Sequence, residues 1–136
     1  MGFLTGKTAI ITGAGYAVLA DGRCGSIGYG IATAYAKEGA NLVITGRNVA
    51  KLEKAELERL YGIRVLTVAA DISAGADNEA IAKGVIDEAV REFGRIDVLI
   101  NNAQASASGV KLEDHTTEQF NLAMYSGLYA TFYYMK

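Results

Sequence analysis

Proline and tryptophan are absent from the 136 residues, and cysteine and histidine occur once each. A lone cysteine excludes an internal disulfide. With a single histidine there is no Cys/His cluster at metal-ligand spacing, which removes the zinc-finger, disulfide-scaffold and dithiol classes. Charge of one sign is also lacking: 13 Lys+Arg against 15 Asp+Glu give a formal net charge of −2. That balance offers no basic face for nucleic acid or an anionic membrane. Thr5, Gly6 and Lys7 interrupt the only apolar start, so no secretory segment is expected at Met1, and a cytoplasmic location is the expectation. The chain is instead rich in hydrophobic residues (51%) and in glycine (16 residues). About two thirds of the extended-chain surface can be buried at this size. Residues 1–136 are therefore read as one domain, and disorder is excluded.

Two periods alternate along the chain. Ala9-Ile10-Ile11-Thr12, Leu42-Val43-Ile44-Thr45, Val65-Leu66-Thr67-Val68 and Ile96-Asp97-Val98-Leu99-Ile100 are short, rich in β-branched residues and closed by turn-prone residues. Each reads as a buried strand. Helices are expected between them. Ile27, Ile31, Ala34 and Tyr35 share one face of the first. The second is expected to start at Asn48 as N-cap and to carry Val49, Leu52, Ala55 and Leu60. The third has Ile81, Ala82, Val85, Ile86, Ala89 and Phe93 over half its circumference. Strand–helix repetition with both strand faces apolar predicts an α/β fold, a parallel sheet covered by helices on each side. A last helix is predicted from the Thr116/Gln119 capping box towards Lys136. It is apolar all round, which requires burial on more than one face, while Thr117, Asn121, Ser126 and Thr131 exclude a membrane span.

Thr12-Gly13-Ala14-Gly15 follows the first strand directly, and Gly25-Ser26-Ile27-Gly28-Tyr29-Gly30 opens the first helix. Glycine lets backbone approach a pyrophosphate, and the free N–H groups of a helix start point at the anion. A phosphate-binding corner is the reading; an ordinary flexible turn is its alternative. Tyr16 to Cys24 look like an insertion beside this corner. Arg23 reads as an exposed loop arginine, with phosphate contact as the other option.

These motifs, in this order, resemble the short-chain dehydrogenase/reductase family: the opening Leu4-Thr5-Gly6-Lys7-Thr8-Ala9, the Thr12-Gly13 turn, Gly46-Arg47-Asn48, Asp71-Ile72 and Asn101-Asn102-Ala103. The stretch Ser26-Ile27-Gly28-Tyr29-Gly30-Ile31-Ala32 is also similar to the diverged glycine motif of bacterial enoyl-acyl-carrier-protein reductases, whereas Asn101-Asn102 speaks for the commoner branch. The resemblance implies a Rossmann-type, doubly wound parallel sheet of about four strands in the order 3-2-1-4, truncated relative to the family. It implies hydride transfer between a nicotinamide dinucleotide and an alcohol/ketone or aldehyde pair. Carried onto this chain, Gly13, Gly15, Ser26, Ile27 and Gly28 would surround the pyrophosphate and its ribose. Asp71 and Ile72 would contact the adenine, and Asn101 and Ala103 would line the way to the nicotinamide. Structural alternatives are a strand-ending cap for Asp71 and strand-bracing hydrogen bonds for Asn101 and Asn102.

An acidic residue about 20 positions beyond the glycine loop would bind the ribose hydroxyls of NAD and repel a 2′-phosphate. Here that place holds Gly46, followed by Arg47 and Asn48, which complete the expected cofactor set. A guanidinium fork matches a phosphate, so NADP(H) is expected over NAD(H), with a solvated helix-start arginine as the alternative.

The family's acid–base chemistry uses a serine and a Tyr-x-x-x-Lys pair located after a fifth strand, and no tyrosine in this chain has a lysine four positions later. Tyr133 and Lys136 are three apart and on the wrong helix. Two further positions depart from the family pattern. Gln104 stands where Asn-Asn-Ala-Gly has glycine, and Gly127 stands where the final helix carries an active-site asparagine. No catalytic residue is assigned, and a non-catalytic nucleotide-binding or assembly module is the rival reading. The fourth strand is expected as an open apolar edge. With the final helix, it would pair with a second copy or a complementing chain. Cys24 reads as a plain loop cysteine, His115 as helix-start polarity, and Ser106 and Ser108 as loop residues.

Overall fold

The computed structural model describes residues 2–23 and 25–136. The reading of Cys24 falls outside them. Four strands, β1 (Thr8–Ile11), β2 (Asn41–Gly46), β3 (Val65–Ala69) and β4 (Val98–Ile100), form one sheet in the order β3-β2-β1-β4. All three pairings are parallel, with Ile10 level with Val43 on one side and Leu99 on the other. The helices are α1 (Ile27–Lys37), α2 (Lys54–Tyr61), α3 (Asn78–Phe93), α4 (Thr117–Met124) and α5 (Ala130–Met135). This is the Rossmann-type order expected from the sequence.

Side chains alternate across a strand, and the sheet builds two cores from that alternation. Ala9, Ile11, Leu42, Ile44 and Val65 face α1 and α2, meeting Ala32, Ala36 and Leu57. Ile10, Val43 and Val68 face α3 and α5, meeting Ala82, Val85, Ala89 and Tyr134. The central strands bury both faces, whereas β3 and β4 are only half-buried, because an edge strand has a neighbour on one side alone. The start of β4 is clamped to the start of β1. The Thr8 N–H donates to Asp97 Oδ2 at 2.9 Å, and Arg95 donates to both carboxylate oxygens.

Three helices differ from the periodic reading. In α1 the buried stripe is Gly28, Ala32 and Ala36, while Ile27 and Ala34 face solvent and Ile31 and Tyr35 flank the core. A helix that must approach the strand end closely buries its smallest residues, so hydrophobicity points to the wrong face. Asn48 does not start the second helix. It caps a short 3₁₀ turn, Val49–Lys51, accepting from Ala50 N–H at 3.0 Å. α2 begins only at Lys54 and buries Leu57, leaving Val49, Ala55 and Leu60 exposed. The final helix starts at the Thr116/Gln119 capping box as expected, but a π-helical segment, Tyr125–Tyr129, separates α4 from α5.

That segment is held by buried polar groups. Asn78 Nδ2 donates to Tyr125 O at 2.9 Å, and the fully buried Ser126 hydroxyl accepts from Ala105 N–H at 2.9 Å. An irregular turn inside a helix frees carbonyls; Asn78 satisfies that of Tyr125, and the Ser126 hydroxyl donates back to Leu122 O at 2.7 Å. Between α3, β4 and α5 lies an apolar groove of about 640 Å³ floored by Ile86, Ile96, Leu99 and Tyr133. Among the described residues no helix is long and apolar enough to cross a membrane.

Candidate functional site

Crossovers through α1 and α2 lie on one face of the sheet and α3 on the other, so the strand order reverses between β1 and β4. In open α/β sheets ligands bind beyond the carboxyl ends of the strands at such a switch point. Here the segments leaving all four strands meet around an open cleft of about 240 Å³, lined by residues 13, 45–47, 70–73 and 102–105. Pockets that enclose a drug-sized ligand run to roughly 300–1,000 Å³, so an extended ligand would have to run out of this cleft across the glycine corner.

The corner is tight. Gly13 has φ +66°, and a Cβ on Gly28 would stand 2.1 Å from Gly13 O and 2.6 Å from Asn102 Nδ2. Thr12 is the hub: its Oγ1 accepts from Asn102 N–H at 3.1 Å and from Ala103 N–H at 3.0 Å. Asn102 Nδ2 reaches back to Thr12 O at 3.0 Å and Gly13 O at 3.1 Å. Asn102 thus braces β4 against the turn. At the mouth of α1, Ser26 Oγ caps Tyr29 N–H at 3.2 Å, and Gly30 N–H bonds Ser26 O at 3.1 Å. The N–H groups of Ile27 and Gly28 have no acceptor within the helix and belong to its positive end. An anion fits this corner: small residues clear the approach and backbone donors sit at the helix start.

Towards β3, Asp71 Oδ1 accepts from Ser73 Oγ at 2.7 Å and Ser73 N–H at 2.9 Å, an Asx turn closing the strand. These two bonds, with a smaller contribution from the Arg47 charge, hold the Asp71 carboxyl below its ordinary pKa. Arg47 is exposed at the cleft wall and makes no ion pair among the described residues. Towards β4, Ala103, Gln104 and Ala105 form the opposite wall.

Of the expected residues, Gly13, Arg47, Asp71, Ile72 and Ala103 line the cleft together. Gly28 lies buried directly behind Gly13. Ser26 and Ile27 stand at the helix mouth, Asn48 caps its own turn, and Gly15 and Asn101 are half-buried outside the lining. Thr45, Ala70, Ser73 and Ala105 join the cleft without having been expected there, and Gln104 lines it beside Ala103. Ser73 was findable, because a serine two positions after a strand-ending aspartate is an Asx-turn signal. Gln104 and Ala105 depend on tertiary folding of the loop. The described part of the insertion bonds to itself, with Gly25 N–H on Ala17 O at 3.0 Å, Leu19 N–H on Arg23 O at 2.8 Å and an Asp21–Arg23 ion pair, and it leaves the cleft open. Among the described residues no group of three metal-ligating side chains occurs.

The family model described as Enoyl-(Acyl carrier protein) reductase matches residues 22–136, and the chain belongs to the short-chain dehydrogenase/reductase family. Among curated relatives it is similar to a 12alpha-hydroxysteroid dehydrogenase of Clostridium sp., 59% identical over 138 residues, covering 100% of this chain and 51% of that protein. Among solved structures it is similar to L-sorbose reductase from Gluconobacter frateurii in complex with NADPH and L-sorbose (TM-score 0.81, 29% identity, 98% of this chain and 46% of that one). It is equally similar to an NAD+-bound xylitol dehydrogenase (TM-score 0.81, 26% identity, 98% and 46%). The chain thus spans about half the length of the relatives it matches.

Proposed function

We propose that this chain is the dinucleotide-binding half of an NADP(H)-dependent dehydrogenase acting on an alcohol/ketone pair, with a hydroxysteroid as the substrate class. The observation that carries the reading is the corner itself: Gly13 at φ +66° against Gly28, with the α1 start behind it, where any added Cβ would collide. Gly13, Gly15, Ser26, Ile27 and Gly28 would seat the pyrophosphate. Asp71 and Ile72 would contact the adenine, and Asn101 and Ala103 would lead to the nicotinamide. When bound, the cofactor supplies or accepts the hydride; the chain's residues orient it. Arg47, exposed beside Gly46 and in no ion pair among the described residues, supports selection of a 2′-phosphate, with Asn48 next to it. The 59% identity to a 12alpha-hydroxysteroid dehydrogenase supports the substrate class.

Proton transfer to the substrate is assigned to no residue of this chain, since no tyrosine here has a lysine four positions later. The half-buried β4 edge and the apolar groove beside α5 support contact with further polypeptide, a second copy or a complementing segment. Sedimentation at micromolar concentration checks this, and a clean monomer would contradict it. For the cofactor reading, NADPH titration is run beside a single-turnover assay with 12-ketosteroids and simple carbonyls. Binding without turnover is expected; failure to bind, or turnover by this chain alone, contradicts the assignment.

A further inference from the structure

We infer that Gln104 is a positioning residue for the nicotinamide end of the bound dinucleotide, and that positions 104 and 127 act as one coupled pair. This rests on the cofactor reading above and deepens it. Gln104 follows β4, whereas Asp71 follows β3, three strand spacings away, or about 14 Å at ~4.8 Å per strand. Both line the same cleft. A ligand whose adenosine lies by Asp71 therefore presents its other end to Gln104.

The Gln104 carboxamide is exposed and has no hydrogen-bond partner among the described residues. Its backbone, by contrast, is pinned on both sides. Ala103 N–H donates to Thr12 Oγ1 at 3.0 Å, and Ala105 N–H donates to the fully buried Ser126 Oγ at 2.9 Å. An amide with two donors and an acceptor, carried on a fixed backbone and without an internal partner, is available to a polar ligand group. The room it uses is provided by the neighbouring helix. A Cβ on Gly127 would stand 3.5 Å from Gln104 Nε2 and 3.8 Å from its Cγ. A methyl group would touch, and a longer side chain would displace the amide. Gln104 and Gly127 are also two of the positions at which the sequence departs from the pattern of the family it resembles, and the fold sets them side by side. One carboxamide is thus supplied from the loop where the helix has none.

The test compares NADPH with 2′-phospho-ADP-ribose, which lacks the nicotinamide, on the whole chain. Gln104→Ala should weaken NADPH about 3- to 10-fold, the range of one hydrogen bond, change the fluorescence of bound NADPH, and leave 2′-phospho-ADP-ribose unchanged. Gly127→Asn alone should also weaken NADPH. The exchange variant Gln104→Gly/Gly127→Asn should recover binding to within about twofold. Equal loss for both ligands, or no loss for either, overturns the role of Gln104, and failure of the exchange variant to recover overturns the coupling. If the unsubstituted chain binds neither ligand, the cofactor reading fails first and takes this inference with it.

Discussion

Single atoms decide the glycine corner. Gly28 and Gly30 stand in one sequence motif, yet they carry opposite predictions. A methyl at position 28 meets backbone oxygen at 2.1 Å, which no side-chain rotation relieves, whereas nothing lies within 4 Å of a methyl at position 30. Gly28→Ala should destabilise by about 3 kcal/mol, the upper end of overpacking costs, and abolish NADPH binding. Gly30→Ala should stabilise by roughly 0.5–1 kcal/mol through helix propensity. Urea unfolding of the two variants checks both signs. Tyr134 adds a pH prediction. Burial pushes its phenol up to about 12, with the nearby Thr45 hydroxyl offsetting part of the push, and neither oxygen has a well-formed hydrogen bond among the described residues. A pKa raised from about 10 means stability that is intact below pH 10 and lost as pH rises towards 12. Tyr134→Phe should flatten that alkaline loss in a melting-temperature series.

At the scale of elements, the strands were legible because period-two burial and β-branched runs agree with turn residues at each end. The final helix was legible from its Thr116/Gln119 box. What could not be read is where a helix meets its sheet. Ile27 is 75% exposed while Gly28 is buried, because distance of approach, which no hydropathy pattern encodes, selects the small stripe. The π segment was hidden for a similar reason: its partners Asn78 and Ala105 come from 47 and 21 residues away. Ser126→Ala would leave the half-buried Ala105 N–H without its partner, at a cost of about 1 kcal/mol. Hydrogen exchange should quicken at Ala105 before the rest of the sheet. The β1–β4 clamp has its own signature. Arg95, followed by the Thr8 N–H, holds the Asp97 carboxyl at about 2. A depressed carboxyl stabilises above its unfolded pKa near 4 and loses that contribution as pH falls towards 2. The gap in melting temperature between the parent and Asp97→Asn should therefore be open at pH 7 and closed at pH 2.

For the molecule as a whole, the sheet order and the cleft at its reversal point follow from four short strands and the handedness of their connections. The site was legible as far as backbone and sequence order carry it: Gly13, Arg47, Asp71, Ile72 and Ala103 do converge on one cleft. That Asn102 faces the corner was not, since its amide is turned there by the Thr12 and Gly13 carbonyls, 90 and 89 residues away. The central claim is that this cleft takes a nicotinamide dinucleotide and that the Arg47 guanidinium selects its 2′-phosphate. Calorimetric titration of the chain and of Arg47→Ala with NADPH and NADH tests it directly. The account predicts that the parent chain binds NADPH at least about tenfold tighter than NADH, a difference of about 1.4 kcal/mol, and that Arg47→Ala binds the two alike. Equal affinities in the parent chain, or no heat from either ligand, would contradict it.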